Sequence, residues 1–448
     1  LQQTDFYDPL RQRHPSPDSG YVQSYWTRQL QVPQLPVVTQ DIHTDVAIIG
    51  AGLTGLSCAL ALRQRGINVC VLDAVNPAWG CSGRNAGFVL PGTGRLSLAQ
   101  MIAKWGEDQA QAIYAEFKAG IEITEQHITR YGIECDLQRG GYLKIAHKPS
   151  MLKSLEAQAR LLNSRFSDPA ELLSPDDVQT HYLATQKSAG GLYFPYSFGL
   201  NPLKLSMGLA NAAQQSGAAL YAHSPVQAWQ QLGQQHKLHT PTGSVTADKV
   251  ILATNAYTGT HNHALVEQRH FPVLSSVIVT EPLSETQLAA CRFKSGLLAM
   301  DTRALKYYYR LLPDNRILFG GRGAITGRGA TSGVFKQRLL QALKDQFCGL
   351  QDVRVADYWS GWISVSLDDY PRVWFDHTQG VGYAMGYCGS GVSFSQLAGR
   401  RLAQAVCEEP LPSLPFYQST LKRFPLSPFK RMGLWGYYQW GRFQDRWL

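Results

Sequence analysis

The chain has 448 residues, 44% hydrophobic and 17% charged, enough for two or three globular domains with an ample core. It contains no run of about 18 apolar residues, which excludes an ordinary membrane-spanning helix. The formal net charge of +9 fits a nucleic acid, a membrane surface or an anionic cofactor, and the dispersal of most basic residues speaks against nucleic acid.

Residues 1–43 are polar, carry Pro15, Pro17, Pro33 and Pro36, and read as an irregular lead-in with one short helical stretch near Tyr25 and Trp26. Asp8, Arg11 and Arg13 fall in it without an apolar core, so it does not resemble a secretory signal. From Asp45 to Asp73 the chain reads DVAIIGAGLTGLSCALALRQRGINVCVLD. Val46–Ile49 is a short β-branched run suited to a strand buried on both faces, and it leads directly into Gly50, Gly52 and Gly55. Gly50 permits the turn, Gly52 lets the backbone approach a pyrophosphate, and Gly55 lets helix pack on strand. The helix N-terminus offers free N–H groups to that anion. Asn68–Leu72 forms a second strand ending on Asp73, whose carboxylate can take the hydroxyls of an unphosphorylated adenosine ribose, as in FAD or NAD.

Trp79–Gly92 is a loop rich in small residues. Helical spacing is predicted over 97–131, a short strand over Tyr142–Ile145, and helix again over 151–185. Helix is expected over Leu203–Gln215, strands at Ala219–Tyr221, at Val226 and over Val250–Ala253. From Pro272 to Gly321 the pattern is mostly strand, with runs at Val277–Val279, Tyr307–Leu311 and Ile317–Phe319. A helix is predicted over 335–347, a strand over Gly382–Met385, a glycine-rich junction over Gly386–Gly391 and a helix over Val392–Cys407. A helix starting at Gly391 with free N–H groups can hold developing negative charge. Eight cysteines, at 58, 70, 81, 135, 291, 348, 388 and 407, lack C-x-x-C spacing and point to reduced thiols in the cytoplasm. In the tail, 411–448, Lys422, Arg423, Lys430, Arg431, Arg442 and Arg446 alternate with Trp435, Tyr437, Tyr438, Trp440 and Trp447. Such a segment either packs back over its own domain or contacts a peripheral membrane surface or a partner.

Five segments together resemble the FAD-dependent oxidoreductases of the D-amino-acid oxidase and glycine oxidase superfamily: GAGLTG with Asp73, CSGRNAG at 81–87, ILATNAY at 251–257, LPDNRILFGG at 312–321, and GYCGSGVSFSQLAGR at 386–400. Ser24-Tyr25-Trp26 and Ser82-Gly83-Arg84-Asn85 resemble its γ-glutamylputrescine oxidase branch. The resemblance implies an α/β fold of D-amino-acid oxidase type: a Rossmann-like FAD-binding domain and a second domain built on a mixed β-sheet flanked by helices. The expected division is 44–95, 196–256 and 355–410 for the FAD-binding domain, 96–195 and 257–354 for the substrate domain, and 411–448 for the tail.

Carried over by motif, Gly50, Gly52, Leu53, Thr54, Gly55 and Asp73 hold the ADP half of FAD. Cys81, Ser82, Arg84, Asn85, Ala86 and Gly87 pass along the pyrophosphate and flavin, Val226 offers backbone to adenine, and Ala253 and Thr254 line the ribose side. Gly389, Gly391, Val392 and Ser393 sit at the pyrimidine end. On the substrate side, Tyr308 and Arg310 share one face of a strand by its period of two, and Trp362 and Ile363 fall on the stretch Tyr358–Pro371. Ile363 stands where glycine and D-amino-acid oxidases are expected to carry a carboxylate-binding arginine, with Arg310 or Arg372 as substitutes. Ser360, Gly361 and Trp362 stand where sarcosine oxidases place a flavin-linking cysteine, so noncovalent FAD is expected. Leu318 replaces the lysine that promotes oxygen reaction there, which leaves oxygen and another electron acceptor both open.

The activity implied is oxidation of the C–N bond of a small-molecule amine, a polyamine derivative or secondary amine, by hydride transfer to flavin N5, giving an imine that hydrolyses. No metal and no side-chain base is expected, since the flavin carries the chemistry. The alternatives are an amino-acid oxidase or dehydrogenase of the glycine or D-amino-acid type, and a nonenzymatic or assembly flavoprotein.

Overall fold

The apolar run of the first strand pairs along both sides, and the fold grows outward from it. The structure is a computed structural model and describes residues 6–28, 31–92, 94–260 and 263–447. Strand β1 (Asp41–Ile49) lies between β2 (Val69–Leu72) and the strand Ser244–Leu252, parallel to both, with Val46 opposite Val69 on one side and Lys249 on the other. Ala219–Tyr221 extends this sheet beyond β2, and Val381–Met385 extends it beyond Ser244–Leu252, again in parallel; Arg372–Asp376 closes that edge as an antiparallel hairpin. Helix α1 (Leu53–Arg63) is buried along nearly its whole length, because it runs between the sheet and the helices Pro202–Gln215 and Phe394–Val406. A helix covered on every side is uniformly apolar rather than amphipathic.

A second eight-stranded sheet is mixed, in the order Val355–Val365, Phe271–Thr280, Ile317–Arg322, Tyr308–Leu311, Leu298–Asp301, Tyr142–Ile145, Gly191–Phe194, Glu171–Leu173. Only the pair Leu298–Asp301 with Tyr142–Ile145 is parallel. The helix Gly333–Gln346 covers one side of it over a core that includes Tyr309, Phe319 and Phe347. The two-stranded ladder of Phe88–Val89 with Phe198–Gly199 lies near the other side, where Phe88 meets Tyr308.

Four sequence expectations change. Residues 97–131 are two helices, Leu98–Trp105 and Glu107–Arg130, divided at Gly106, whose φ is +84°. The helix predicted over 151–185 ends at Arg165; Ser167 turns with φ of +48°, Pro169 follows, and the chain enters the strand Glu171–Leu173. Val226 lies in a loop after the strand Ala219–Tyr221. Residues 355–365, grouped above with the FAD-binding part, pair along Phe271–Thr280 in the second sheet. The tail forms the helix Lys430–Trp447, with Lys430, Leu434, Tyr438 and Gly441 buried. Leu434 and Tyr438 pack with Phe271, Val273 and Ile363, and the Asp445 carboxylate accepts from the Ala304 and Leu305 N–H groups at 2.6 and 3.1 Å. Among the described residues no helix is long and apolar enough to cross a membrane.

Candidate functional site

One elongated cavity runs from the first parallel strands to the inner face of the second sheet. At its first end the chain turns sharply between β1 and α1. Gly50 takes φ of +106°, and a Cβ there would stand 2.9 Å from the Ala253 carbonyl oxygen. A Cβ on Gly52 would meet the Ser82 hydroxyl at 2.7 Å, so the bare glycine keeps a cradle open between loop and helix. Helix α1 begins without a side-chain cap of its own, although Ser82 Oγ accepts from Leu53 N at 3.0 Å. An uncapped N-terminus opening into a cavity is a site for phosphate oxygens. Asp73 lines the same end and accepts from Ala51 N and Val75 N, both at 2.9 Å. Burial pushes its carboxyl up to about 6 despite these two bonds. Each oxygen retains accepting capacity for hydroxyl donors. Val226, Ala253 and Thr254 also line this end.

The middle of the cavity is walled by the loop carrying Cys81, Ser82, Arg84, Asn85 and Ala86. Asn85 organises that loop: its amide donates to the Cys81 and Ser82 carbonyls and accepts from Gly87 N. Arg84 donates to the Trp79 carbonyl at 2.7 Å and lies over the Trp79 ring, 4.2 Å from its centroid. Across from it come Gly389, Gly391 and Val392, at the start of the helix Phe394–Val406. The hydroxyls of Thr54 and Tyr387 stand 2.9 Å apart, so the two glycine-rich junctions are tied together. Burial pushes the thiols of Cys81 and Cys388, both on the cavity wall, up to about 11.

Under the second sheet, Tyr308 and Ile363 line the cavity as expected. Tyr308 lies across Gly320 on the paired strand, where a Cβ would come within 2.2 Å of its ring, and its hydroxyl is 2.8 Å from Ser275 Oγ. Burial pushes its phenol up to about 12, so it remains a neutral hydroxyl at pH 7. Arg310 does not reach the cavity. It shares the Tyr308 face, but one residue pair along the strand that face is covered by Gly199 and Leu200; Arg310 donates to the Leu200 carbonyl at 2.7 Å and lies over Trp26. Trp362 is also turned away, since neighbours in a strand face opposite sides: Gly361 and Ile363 line the cavity, whereas Trp362 donates to the Tyr7 carbonyl within a separate core. Arg372 is buried against Asp368 and the Tyr370 ring. Gly55, Gly87 and Ser393 are structural neighbours rather than wall residues. Gly55 packs on the Gly50 carbonyl, Gly87 on the Leu200 carbonyl, and Ser393 donates to the Leu90 carbonyl.

The cavity also takes residues that no motif announced. Arg95, Lys306 and Arg322 line it, Lys306 from the connection between two strands and Arg322 from the end of its own. Burial and the charges of Arg322 and Arg95 hold the Lys306 ammonium below its usual range. Arg95 is partly balanced, with Asp369 at 3.9 Å and a hydrogen bond to the Tyr437 hydroxyl. Ser364, also on the wall, has a buried hydroxyl with no hydrogen-bond partner among the described residues. A single basic residue beyond a strand has no sequence period to mark it; the GGR at 320–322 was the available signal. Cradle, uncapped helix and buried carboxylate together fit an extended dinucleotide with room for a small molecule beside it.

Residues 45–405 match the protein family described as FAD dependent oxidoreductase (DAO). The chain is 32% identical to the γ-glutamylputrescine oxidoreductase of Escherichia coli, across 88% of this chain and 92% of that one. It is 31% identical to the "probable oxidoreductase OrdL" of Haemophilus influenzae, across 85% and 87% of the respective chains. Among solved structures, glycine oxidase from Geobacillus kaustophilus superposes with a TM-score of 0.70 at 21% identity, covering 86% of this chain and all of the other.

Proposed function

The chain belongs to the FAD dependent oxidoreductase (DAO) family and takes FAD as its cofactor, and on that premise we propose that it oxidises the C–N bond of an amine, a polyamine derivative or secondary amine, to an imine that water hydrolyses. The observation that carries this reading is the wall of the substrate end: Ile363 is apolar, Arg310 and Arg372 both face elsewhere, and Lys306 and Arg322 stand open to the cavity. A free polyamine would bring further positive charge to these two cations; a derivative bearing an anionic group would be held by them. The name of the Escherichia coli relative describes such a derivative.

When bound, FAD supplies the two-electron acceptor. The N-terminus of α1 and the Ser82 loop would hold its phosphates, Asp73 its ribose, and Gly389, Gly391 and Val392 its far end. The protonated thiols of Cys81 and Cys388 are poor nucleophiles, in keeping with noncovalent binding. Lys306 and Arg322 have a second role: their field disfavours the ammonium form of an amine in the same cavity and so presents the neutral lone pair without a side-chain base. Tyr308, kept neutral, orients rather than ionises. Eight free cysteines are in keeping with a cytoplasmic setting.

The test is anaerobic mixing of the holoenzyme with γ-glutamyl amines, free polyamines, N-methyl amines and α-amino acids, followed by air. Rapid bleaching of the visible flavin band by the γ-glutamyl amines is expected, with Arg322→Met raising their KM by about tenfold, the worth of one charge-assisted hydrogen bond, while amines without an anionic group lose no such contact and turn over with a higher apparent amine pKa. Equal turnover of glycine, proline or D-alanine would overturn the amine reading, and no bleaching by any compound would overturn the enzymatic one. The return of colour in air separates oxygen from another acceptor.

A further inference from the structure

The C-terminal helix Lys430–Trp447 has two apolar faces, of which its own protein uses one. The inner face is fixed by Leu434 and Tyr438 in the core, by Asp445 on the 304–305 backbone and by an ion pair from Arg431 to Asp8. On the outer face Met432, Trp435, Trp440, Phe443 and Trp447 are between 48% and 68% exposed, and Leu426 and Phe429 just before the helix are 74% and 56% exposed. Half of the large hydrophobic side chains exposed among the described residues therefore fall in this one segment, so the patch is not the ordinary scatter of a soluble surface.

The exposed charges that the segment itself carries have one sign. Arg423, Arg442 and Arg446 are exposed beside it, Lys422 is exposed with Asp368 3.8 Å away, and the one acidic residue in 411–448 is the inward-facing Asp445. Arg446 stacks on Trp447 and Trp440 on Phe443, which places aromatic surface and cations at one level. Trp and Phe flanked by Arg along an exposed helix face suit the boundary between headgroups and acyl chains, where the rings enter and the guanidinium groups meet anionic lipid. We propose that this outer face docks the enzyme, lying flat, on an anionic bilayer surface. The contact is independent of which amine is oxidised. It also has a geometric consequence: because Asp445 holds the backbone next to Lys306, the bilayer lies one helix away from the wall of the substrate cavity.

The experiment is sedimentation of the full-length holoenzyme with vesicles of phosphatidylcholine and phosphatidylglycerol at three to one, and with phosphatidylcholine alone. Most of the protein is expected to pellet with the anionic vesicles at low salt and little with the neutral ones, with release as ionic strength screens the arginines. A variant with Trp435→Ser, Trp440→Ser and Trp447→Ser is expected to bind at least tenfold more weakly while keeping its flavin absorbance and melting temperature. Arg442→Glu with Arg446→Glu is expected to abolish the preference for anionic lipid. Wild-type protein left in the supernatant, or a tryptophan variant that pellets equally well, would overturn the proposal. So would a dimer in solution that the tryptophan variant dissociates without vesicle binding by either form, because that assigns the face to a second copy of the chain.

Discussion

Asp73 lines the cavity at the first-sheet end, its two oxygens held by the Ala51 and Val75 N–H groups, and burial still raises its carboxyl to about 6. The raised value means that the apoprotein is most stable with Asp73 protonated and loses that contribution as pH rises through about 6. The ribose hydroxyls of FAD proposed to bond Asp73 would reverse the preference, since they would bond the ionised form. FAD affinity is therefore expected to be full above pH 6 and to fall about tenfold between pH 7 and pH 5, while Asp73→Asn binds weakly and nearly independently of pH over that range. Titration of apoprotein with FAD by flavin fluorescence at several pH values checks this; parallel slopes for the two proteins would refute it. Asp73 was legible in sequence because strand, turn, helix and strand place it by local rules alone. Arg310 and Trp362 were not. Period two correctly put Arg310 on the Tyr308 face, but how far the cavity extends along that face depends on Gly199 and Leu200, more than a hundred residues away in the chain.

Helix α1 and the helix Phe394–Val406 meet backbone to backbone at Gly399, where a Cβ would come within 2.4 Å of the Thr54 carbonyl oxygen and 2.7 Å of Cys58 N. Ser57 seals the same contact by donating to the Gln396 carbonyl at 2.7 Å. Gly399→Ala must push the helices apart, at a cost of about 1–3 kcal/mol typical of overpacking, and it moves the α1 turn that borders the cavity. A lower unfolding midpoint together with weaker FAD binding is expected. Gly436→Ala, on the C-terminal helix with nothing within 4 Å of the added atom, is expected to stabilise by about 0.5–1 kcal/mol, the entropy a mid-helix glycine costs. Urea unfolding of the two variants beside wild type separates a packing effect from a propensity effect. Elements defined by local period were read nearly to their ends, as at Tyr308–Leu311 and Phe394–Val406. The strand Glu171–Leu173 was not, because its short apolar run continues the spacing of the preceding helix, and the interruption at Ser167 and Pro169 falls within that spacing. Sheet membership of Val355–Val365 was likewise decided by pairing with Phe271–Thr280 and by nothing within the segment.

At the scale of the molecule, the cavity wall is assembled from parts far apart in the chain: the β1 to β2 unit, the loop at 81–86, Ala253 and Thr254, the second-sheet residues Tyr308 and Ile363, and the junction at 389–392. A ligand that touches all of them binds the folded chain and not the unfolded one, so it stabilises by RT ln(1 + [L]/Kd), about 2.7 kcal/mol at a hundredfold excess over Kd. The adenosine of FAD would have its own partner in Asp73, a contact that FMN, which lacks the adenosine ribose, cannot make. The melting temperature of apoprotein is therefore expected to climb steadily with the logarithm of FAD concentration once Kd is passed, and to change little with equal FMN. ADP alone, engaging only the first-sheet end, is expected to give a small part of the FAD shift at the same concentration. Differential scanning calorimetry across a thousandfold range of each ligand makes the comparison. A full shift with FMN would mean that the Asp73 end contributes nothing to cofactor binding, and a flat response to FAD would mean that the cavity walls gain no stability from the cofactor.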